Sequence, residues 1–334
     1  MSTGCPVLRS GRDADAAGFI RVVSECWAEY PGCVTDIDGE APELQALASY
    51  CAKRGGAVWA AEADGLVVGL VCTYPLTDGA WEIGKMYVAR PHRGSGIAYD
   101  LVSAAEDFAR ARGASRLKLW TDTRFDRAHR FYEKHDFVRA GPIRVLDDKS
   151  KSIEFAYAKP LAGVAVERLD AAGAASAEVS LARILVRCVD AGAAISFLPP
   201  LAMEPARAFW RGVAGGVARG ERILLAAWLD GVMVGTVQLD LAMPQNQPHR
   251  ADLAKMMVHP DARRRGIAGL MLARAEAEAA AAGRTLLVLD TREGDLAESL
   301  YRSARWTEAG RIPGYALSAD RTPHATVYFY KEIP

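Results

Sequence analysis

The stretch RRRGIAGLML, residues 263–272, carries three arginines and one glycine directly before an apolar, helix-like run. A related stretch, RGSGIAYDLV, occupies residues 93–102. A glycine loop that opens a helix presents unpaired backbone N–H groups and the positive end of the helix dipole, and glycine lets a ligand approach closely. Such a loop favours a diphosphate ligand. The spacing lacks the Lys-Ser/Thr of a nucleotide P-loop and the extra glycine of a dinucleotide fingerprint.

Both stretches belong to an internal duplication. Residues 85–98 align with residues 255–268 without a gap, at a constant separation of 170 residues. Further matching segments are 57–74 with 223–240, 117–123 with 286–291, and 130–137 with 299–306. The first of these pairs contains β-like runs joined at Asp-Gly, which is a strong hairpin signal. A register kept from strand to helix indicates a duplicated domain.

Each half predicts the same order of elements. A strand, one or more helices, a hairpin and a third long strand precede the glycine-opened helix. A strand ending in Asp-Thr, a short helix bearing a tyrosine and two closing strands follow. This order predicts an α/β fold with a twisted mixed sheet flanked by helices, rather than a strict βαβ repeat. The length of 334 residues suits two domains, which we place at residues 1–160 and 161–334.

The composition narrows the function classes. Lys and Arg number 41, as do Asp and Glu, so no overall basic character indicates nucleic-acid binding. No segment reaches the ~20 apolar residues that cross a bilayer, and the first residues lack the apolar run of a signal peptide. Neither the six cysteines nor the six histidines show metal-ligand spacing. We expect a cytoplasmic protein with no metal, nucleic-acid or membrane partner.

The two glycine loops resemble the signature of the GNAT superfamily of acyl-CoA-dependent N-acyltransferases, Arg/Gln-x-x-Gly-x-Gly/Ala after the fourth strand. The matching residues are Arg93, Gly96 and Ala98, and Arg263, Gly266 and Ala268. The resemblance covers essentially the whole chain as two tandem domains. Through residues 195–210 and 314–331, the second half is also similar to a branch that includes the tabtoxin-resistance acetyltransferases.

The resemblance implies acetyl-CoA as the cofactor. Its diphosphate would lie on the two loops, and its pantetheine arm would pair with fourth-strand backbone where the fourth and fifth strands separate. The residues so implied are Tyr87, Val88, Arg93, Gly94, Ser95, Gly96, Ile97 and Ala98 in the first half, and Met257, Val258, Arg263, Arg264, Arg265, Gly266, Ile267, Ala268 and Gly269 in the second.

The resemblance also implies catalytic groups. Tyr132 and Tyr301 occupy the family position of the acid that protonates the departing thiolate. Glu82 and Asp252 each lie eleven residues before the signature arginine, where a carboxylate can take a proton from the attacking ammonium, directly or through water. The alternatives are a tyrosine packed beside the core and a carboxylate in a structural ion pair.

The chain departs from the family pattern at two places. The asparagine that the family often has three residues before an alanine on the tyrosine helix is Phe125 in one half and Gly294 in the other. The glycine that often precedes the aromatic residue after the tyrosine is Asp136 and Arg305. These differences bear on the fine geometry of the cofactor site.

Acceptor specificity should come from the regions that differ between the halves. The candidates are Trp27, Tyr30, Phe197, Asn246, His249, Tyr315 and His324, with turn or core packing as the alternative for each. The sequence therefore predicts acetyl transfer to a small-molecule amine by direct attack in a ternary complex, with the second half favoured as catalyst. The first half is either a second active site or a cofactor-binding structural half. Protein N-acetylation and a non-catalytic acyl-CoA sensor stay open, as do a monomer with an internal pseudo-dimer and a homodimer.

Overall fold

The computed structural model describes residues 6–334. Residues 1–5, the start of the segment that we expect to lack a signal peptide, lie outside the described residues. The chain forms two compact units. Residues 6–132 and 139–162 make the first unit, and residues 133–138 and 163–334 make the second. The domain boundary between residues 160 and 161 stays a prediction.

The first sheet is built from short strands around one long hairpin. Its strands are β1 (Val7–Ser10), β2 (Ala57–Ala63), β3 (Leu66–Pro75), β4 (Ala80–Val88), β5 (Arg116–Asp122), β6 (Val138–Arg139), β7 (Arg144–Val145) and β8 (Ile153–Pro160). Its helices are α1 (Ala16–Trp27), α2 (Ile37–Glu40), α3 (Leu47–Lys53), α4 (Ile97–Arg110) and α5 (Asp126–Lys134). The strand order is β1-β2-β3-β4-β5-β8-β6, with β7 beside β8.

The second sheet repeats this plan with longer closing strands. Its strands are β9 (Val164–Leu169), β10 (Arg222–Leu229), β11 (Val232–Asp240), β12 (Arg250–Val258), β13 (Leu286–Arg292), β14 (Thr307–Leu317) and β15 (Pro323–Glu332). Its helices are α6 (Ala171–Ser176), α7 (Glu178–Asp190), α8 (Met203–Ala218), α9 (Ile267–Ala281) and α10 (Leu296–Ser303). The strand order is β14-β15-β13-β12-β11-β10-β9.

Both sheets are mixed, which confirms the predicted fold class. In each sheet all described neighbours are antiparallel except one pair, β4 with β5 and β12 with β13. The first of the two closing strands predicted for the first sheet is not continuous. Two strands of two residues each, β6 and β7, replace it. Gly141, with a φ of +97°, and Pro142 lie between β6 and β7 and interrupt the pairing of this segment with β8.

Alternating side chains place a core on each face of the second sheet. One face packs against α9 and α10 through Leu225, Leu253 and Phe329, and the other packs against α7 and α8 through Trp210 and Trp228. Among the helices of the described chain, none combines the length and the apolar character that a bilayer crossing requires. The sheet thus separates two layers of helices and exposes its strand ends between them.

Candidate functional site

The single parallel strand pair of the second unit opens into a cleft. β12 pairs with β13 only from Arg250 to Asp252, although β12 continues to Val258. Beyond this point β13 stays paired with β15 and departs from β12. A cavity of about 790 Å³ lies in this opening, lined by residues 253–258 of β12. Because the facing edge of β12 has no strand partner there, it can pair with an extended ligand.

The loop before α9 forms one wall of the cavity. Arg264 and Gly266 adopt left-handed backbone conformations, with φ of +61° and +77°. From Arg264 to Ala268 the backbone N–H groups donate to no backbone carbonyl in the described chain. A Cβ built on Gly266 or Gly269 would meet no atom within 4 Å, so both glycines border open space. These N–H groups and this space fit a diphosphate.

The cavity collects most of the predicted cofactor residues of the second unit. Met257, Val258, Arg263, Arg264, Gly266, Ile267, Ala268 and Gly269 all line it. Arg265 is exposed and does not line the cavity, and its role beside the ligand stays a prediction. The Val258 carbonyl already accepts hydrogen bonds from Arg263 Nε at 3.2 Å and from Cys188 Sγ at 3.5 Å. This carbonyl therefore anchors the loop to the strand.

Tyr301 of α10 also lines the cavity. Its ring packs against Trp306 and Phe329, with centroids 5.8 Å and 5.9 Å away. Within the described residues its hydroxyl has no hydrogen-bond partner. Burial, reinforced by Asp290 and Asp295, raises the pKa of the Tyr301 phenol above its ordinary value. The hydroxyl therefore stays protonated across the neutral range.

Asp252 lies at the base of the cleft, in the last residue pair that joins β12 to β13, and outside the cavity lining. Its Oδ2 atom is 3.4 Å from Arg250 Nη2, while Oδ1 is buried with no partner in the described chain. Burial raises the pKa of Asp252; Arg250 opposes this shift, and Asp240 and Asp290 add to it. The carboxyl is thus a better proton acceptor than an ordinary aspartate.

The predicted acceptor residues divide into two groups. Phe197, Tyr315 and His324 line the cavity. Asn246 and His249 do not; they are exposed in the loop that precedes β12, whereas the cavity lies along its carboxyl-terminal half. Their assignment to the acceptor pocket stays a prediction that the cavity lining does not support. A loop before a strand and the cleft at its far end are separated by the length of the strand.

His324 presents a defined hydrogen-bonding face. Its Nδ1 atom lies 3.0 Å from the Ala325 carbonyl, which can only accept, so Nδ1 carries the proton. Nε2 is buried and has no partner among residues 6–334. In the neutral ring this nitrogen is therefore an acceptor. Nearby, the Tyr328 hydroxyl donates to the Tyr315 hydroxyl at 2.9 Å.

The residues of the lining that the sequence did not predict include Ser196, Lys255 and Asp290. Lys255 occupies a β-bulge in β12, where the register with β11 shifts between Thr236 and Gln238. Its φ of +52° reorients the strand there. The alignment of Lys85 with Lys255 was the one available signal, because both lysines occupy the same bulge position.

The loop of the first unit has a similar backbone but different charge pairing. Gly94 and Gly96 have φ of +81° and +96°, as in the second loop. Arg93 donates to both carboxylate oxygens of Glu29, at 2.8 Å and 2.6 Å, and to the Val88 carbonyl at 2.9 Å. The Arg93 guanidinium is thereby neutralised. No acidic residue replaces Glu29 beside Arg263 in the described chain.

Further candidates in the first unit are engaged by their own neighbours. The Tyr74 hydroxyl donates to Glu82 at 2.7 Å, and Trp27 Nε1 donates to the Tyr87 hydroxyl at 2.9 Å. Tyr30 packs on Phe125, with ring centroids 4.6 Å apart. The predicted roles of Trp27 and Tyr30 in an acceptor pocket thus compete with packing contacts.

The remaining first-unit candidates are Tyr132 and the residues at the start of α4. Tyr132 is buried, and burial, with a contribution from Tyr87, raises the pKa of its phenol. Ser95 Oγ donates to the His92 carbonyl at 2.8 Å, Ile97 is buried in the core, and Ala98 is half-buried at the start of α4. Asp100 lies in the first turn of α4, whereas α9 has no acidic residue there. An anion is therefore favoured less at α4.

Comparison with known proteins decides the family. The acetyltransferase (GNAT) family profile matches residues 19–137 and 195–304, one match in each half. The chain belongs to the GNAT family. The tandem GNAT resemblance is thereby confirmed, and the protein is an N-acetyltransferase that uses acetyl-CoA as its cosubstrate.

Curated GNAT relatives match a segment of the chain that is about as long as one domain. An uncharacterized N-acetyltransferase from the hisH-hisA intergenic region of Azospirillum brasilense is 36% identical over 129 residues, which cover 37% of this chain and 75% of that protein. Human N-acetyltransferase 8 is 34% identical over 98 residues, which cover 28% of this chain and 43% of that protein. The chain thus spans less than half the length of the human relative.

Solved GNAT structures also resemble half of the chain. An N-acetyltransferase from Staphylococcus aureus Mu50 covers 52% of this chain and all of its own, at 15% identity and a TM-score of 0.44. The yncA protein of Salmonella typhimurium, described with its cofactor acetyl-CoA, covers 52% of this chain and 95% of its own, at 16% identity and a TM-score of 0.42.

Proposed function

We propose that the second unit transfers the acetyl group of acetyl-CoA to the primary amine of a small molecule, by direct attack in a ternary complex. The observation that carries this proposal is the cavity itself. It brings the α9 loop, the Tyr301 side chain and the acceptor-side residues Phe197, Tyr315 and His324 into one continuous space. A cofactor and an amine can therefore occupy the cavity together.

Bound acetyl-CoA supplies an acetyl group activated as a thioester. The α9 loop holds the diphosphate through its backbone N–H groups, with charge from Arg263 and Arg264. The open edge of β12 pairs with the extended arm that leads from the diphosphate to the thioester. These contacts position the acetyl carbon beside the incoming amine and convert a bimolecular encounter into a reaction between neighbours.

Proton movement accompanies the attack. Asp252 takes a proton from the substrate ammonium, directly or through water, because only the neutral amine has a lone pair for the carbonyl carbon. As the carbon–nitrogen bond forms and the carbon–sulfur bond breaks, Tyr301 gives its proton to the departing sulfur, and the second proton lost by the nitrogen restores the Tyr301 phenol, directly or through water. The Tyr301 phenol is protonated at neutral pH, and the raised pKa of Asp252 makes its carboxylate a stronger base than an ordinary aspartate.

The unsatisfied groups of the second unit support its role as catalyst. Asp252 Oδ1 and His324 Nε2 are buried and lack partners within the described chain. In the first unit Arg93 is held by Glu29 and Glu82 by Tyr74. Polar atoms left unpaired in a cavity are costly unless a ligand or water satisfies them.

A small acceptor is supported by the shape of the site. The cavity of about 790 Å³ is within the size range of small-molecule pockets, roughly 300–1,000 Å³, and the acceptor shares it with the cofactor. Phe197, Tyr315 and His324 close around its acceptor side. An acceptor on a protein chain would need an open groove instead.

The matched tyrosines provide the test. Purified protein with acetyl-CoA is assayed against a panel of primary amines by release of the CoA thiol, for wild type, Tyr301→Phe and Tyr132→Phe. We expect Tyr301→Phe to lower kcat by about 10²-fold or more, because the phenol is lost as an acid, and Tyr132→Phe to leave kcat nearly unchanged. The reverse pattern would assign catalysis to the first unit.

A panel result without turnover would contradict the proposal in a different way. Acetyl-CoA binding without acetylation of any small amine, together with acetylation of protein or peptide, would indicate a protein N-acetyltransferase. Binding without any transfer would indicate an acyl-CoA sensor.

A further inference from the structure

Lys255 is a cationic side chain in the wall of the cavity. It lies in the β-bulge of β12, half-buried, with its ammonium Nζ 2.9 Å from Ser196 Oγ. The centroid of the Phe209 ring lies 6.0 Å from Nζ. The bulge turns this residue out of the regular alternation of the strand, since its φ is +52°.

Lys255 has no carboxylate within salt-bridge distance in the described chain. Asp290, on the opposite strand of the cleft, is close enough to influence it electrostatically, but Asp290 already accepts a hydrogen bond from Thr326 Oγ1 at 3.0 Å. Burial lowers the pKa of the Lys255 ammonium; Asp290 opposes this shift and Arg222 adds to it. A partly desolvated cation without a counter-charge is unfavourable.

The first unit contains the matched case. Lys85 occupies the same bulge position in β4, with a φ of +48°. Its Nζ forms an ion pair with Glu43 Oε1 at 2.7 Å. The same lysine is thus neutralised within the protein in one unit and faces a cavity without a counter-ion in the other.

Ser196 adds a second hydrogen-bonding group. When its oxygen accepts from Lys255, its own O–H remains free to donate, so the pair presents an ammonium and a hydroxyl to one ligand group. Ser196 holds a left-handed backbone conformation, with a φ of +71°, in the loop between α7 and α8. An ammonium and a hydroxyl side by side suit a carboxylate oxygen pair.

We propose that Lys255 and Ser196 bind a carboxylate of the acceptor, so that the substrate is a small amino acid, with amine and carboxylate on the same molecule. This inference rests on the proposed function. The amine end then lies toward Asp290 and His324, which line the same cavity and provide acceptor atoms. The cavity thus offers a cationic group to the carboxylate of a zwitterion and hydrogen-bond acceptors to its ammonium group.

The test compares each amino acid with its amide, which keeps the amine and the side chain but loses the negative charge. The panel contains the L-α-amino acids, β-alanine and γ-aminobutyrate, assayed by CoA-thiol release with wild type, Lys255→Met, Lys255→Arg and Ser196→Ala. For the best wild-type substrate we expect kcat/KM about ten- to a hundredfold higher for the acid than for the amide. Lys255→Met should remove this preference by raising KM for the acid, and Lys255→Arg should keep part of it.

A binding measurement gives a second readout that does not depend on turnover. Calorimetry of the same acid and amide in the presence of CoA should show tighter binding of the acid to wild type and no difference for Lys255→Met. The matched control Lys85→Met should retain the preference. Acetyl-CoA affinity should be unchanged in Lys255→Met.

Two results would overturn the inference. The first is equal use of acids and amides by wild type, and the second is an acid preference that survives in Lys255→Met. Loss of acetyl-CoA affinity in Lys255→Met would also overturn it, because the lysine would then bind the cofactor. Failure of the proposed function is distinguishable, since in that case no amine of either kind would be acetylated.

Discussion

Asp252 and Glu82 occupy equivalent strand positions but make different contacts. The Tyr74 hydroxyl donates to Glu82, whereas Asp252 keeps one oxygen buried without a partner in the described chain. The aligned position was visible in the sequence, but the surroundings were not. A carboxylate becomes a competent base through what surrounds it rather than through its place in a motif.

The pH dependence of acetyl transfer follows from the raised pKa of Asp252. Because a base must be ionised to accept a proton, kcat/KM should fall as the pH drops through a value above the ordinary aspartate pKa of 3.8. Asp252→Asn should lower kcat/KM by about 10²-fold and remove this acidic limb from the pH–rate profile.

The stability of Asp252→Asn provides the control for this prediction. A carboxyl whose folded-state pKa is raised destabilises the native state once it ionises, so the substitution should not lower Tm at neutral pH. An acidic limb that persists in a folded Asp252→Asn protein would assign the base elsewhere, with His324 as the next residue to replace.

At the scale of elements, the beginnings of α4 and α9 share a backbone and differ in side chains. Both start at a left-handed glycine, Gly96 or Gly266. Gly269, the third residue of α9, borders the cavity. The equivalent residue in α4 is Tyr99. One helix therefore opens onto free space, while the other carries an aromatic ring at the same place.

Filling the space at α9 should block the cofactor. Gly269→Trp introduces a large side chain without demanding a left-handed backbone, since a Cβ at Gly269 meets nothing within 4 Å. We expect acetyl-CoA affinity, measured by calorimetry, to fall at least about tenfold. The matched variant Tyr99→Trp should bind as wild type does; a loss of binding in Tyr99→Trp alone would move the cofactor to the first unit.

Left-handed backbone conformations at two kinds of position were not predicted from the sequence. The bulges at Lys85 and Lys255 interrupt an alternation that the sequence predicts to be regular, because nothing in a lysine signals a left-handed φ. Asp136 and Arg305, where the family often has glycine, also adopt φ of +66° and +63°. The family preference thus reflects a left-handed turn that this chain makes with other residues.

At the scale of the whole molecule, the two units share one topology and divide their chemistry. Each sheet contains a single parallel pair that separates after three residue pairs. In the first unit, carboxylates or hydroxyls of the same unit satisfy Arg93, Lys85 and Glu82. In the second unit, Arg263 and Lys255 line the cavity without a carboxylate partner in the described chain, and Asp252 keeps Oδ1 buried without a partner. Duplication preserved the fold, and the contacts of individual side chains distinguish the copies.

Glu29 tests this division of chemistry. The hydrogen bonds from Arg93 hold the pKa of Glu29 below its ordinary value, so the pair stabilises the protein above the ordinary glutamate pKa of 4.5. Glu29→Gln should lower the free energy of unfolding by about 1 kcal/mol at pH 7, measured by urea denaturation. The difference should disappear as the pH falls through the lowered pKa.

Acetyl transfer by Glu29→Gln should be unchanged, because the second unit holds the proposed catalytic groups. Glu25→Gln is the matched control, since Glu25 forms an exposed pair with Arg21 at 3.2 Å and its loss should cost little. A large loss of activity in a stably folded Glu29→Gln protein would contradict the assignment of catalysis to the second unit.

The sequence by itself determined the duplication, the mixed sheet, the glycine-opened helices and the family, because these depend on short-range patterns and on a register that runs along the chain. It also pointed to Tyr301 and Asp252 through aligned position. Only the tertiary structure decided that the second unit keeps an open cavity along β12, that Asn246 and His249 do not line it, and that Lys255 faces it without a carboxylate in salt-bridge distance. Burial and pairing depend on residues far apart in the chain, and no local pattern encodes which partners the fold brings together.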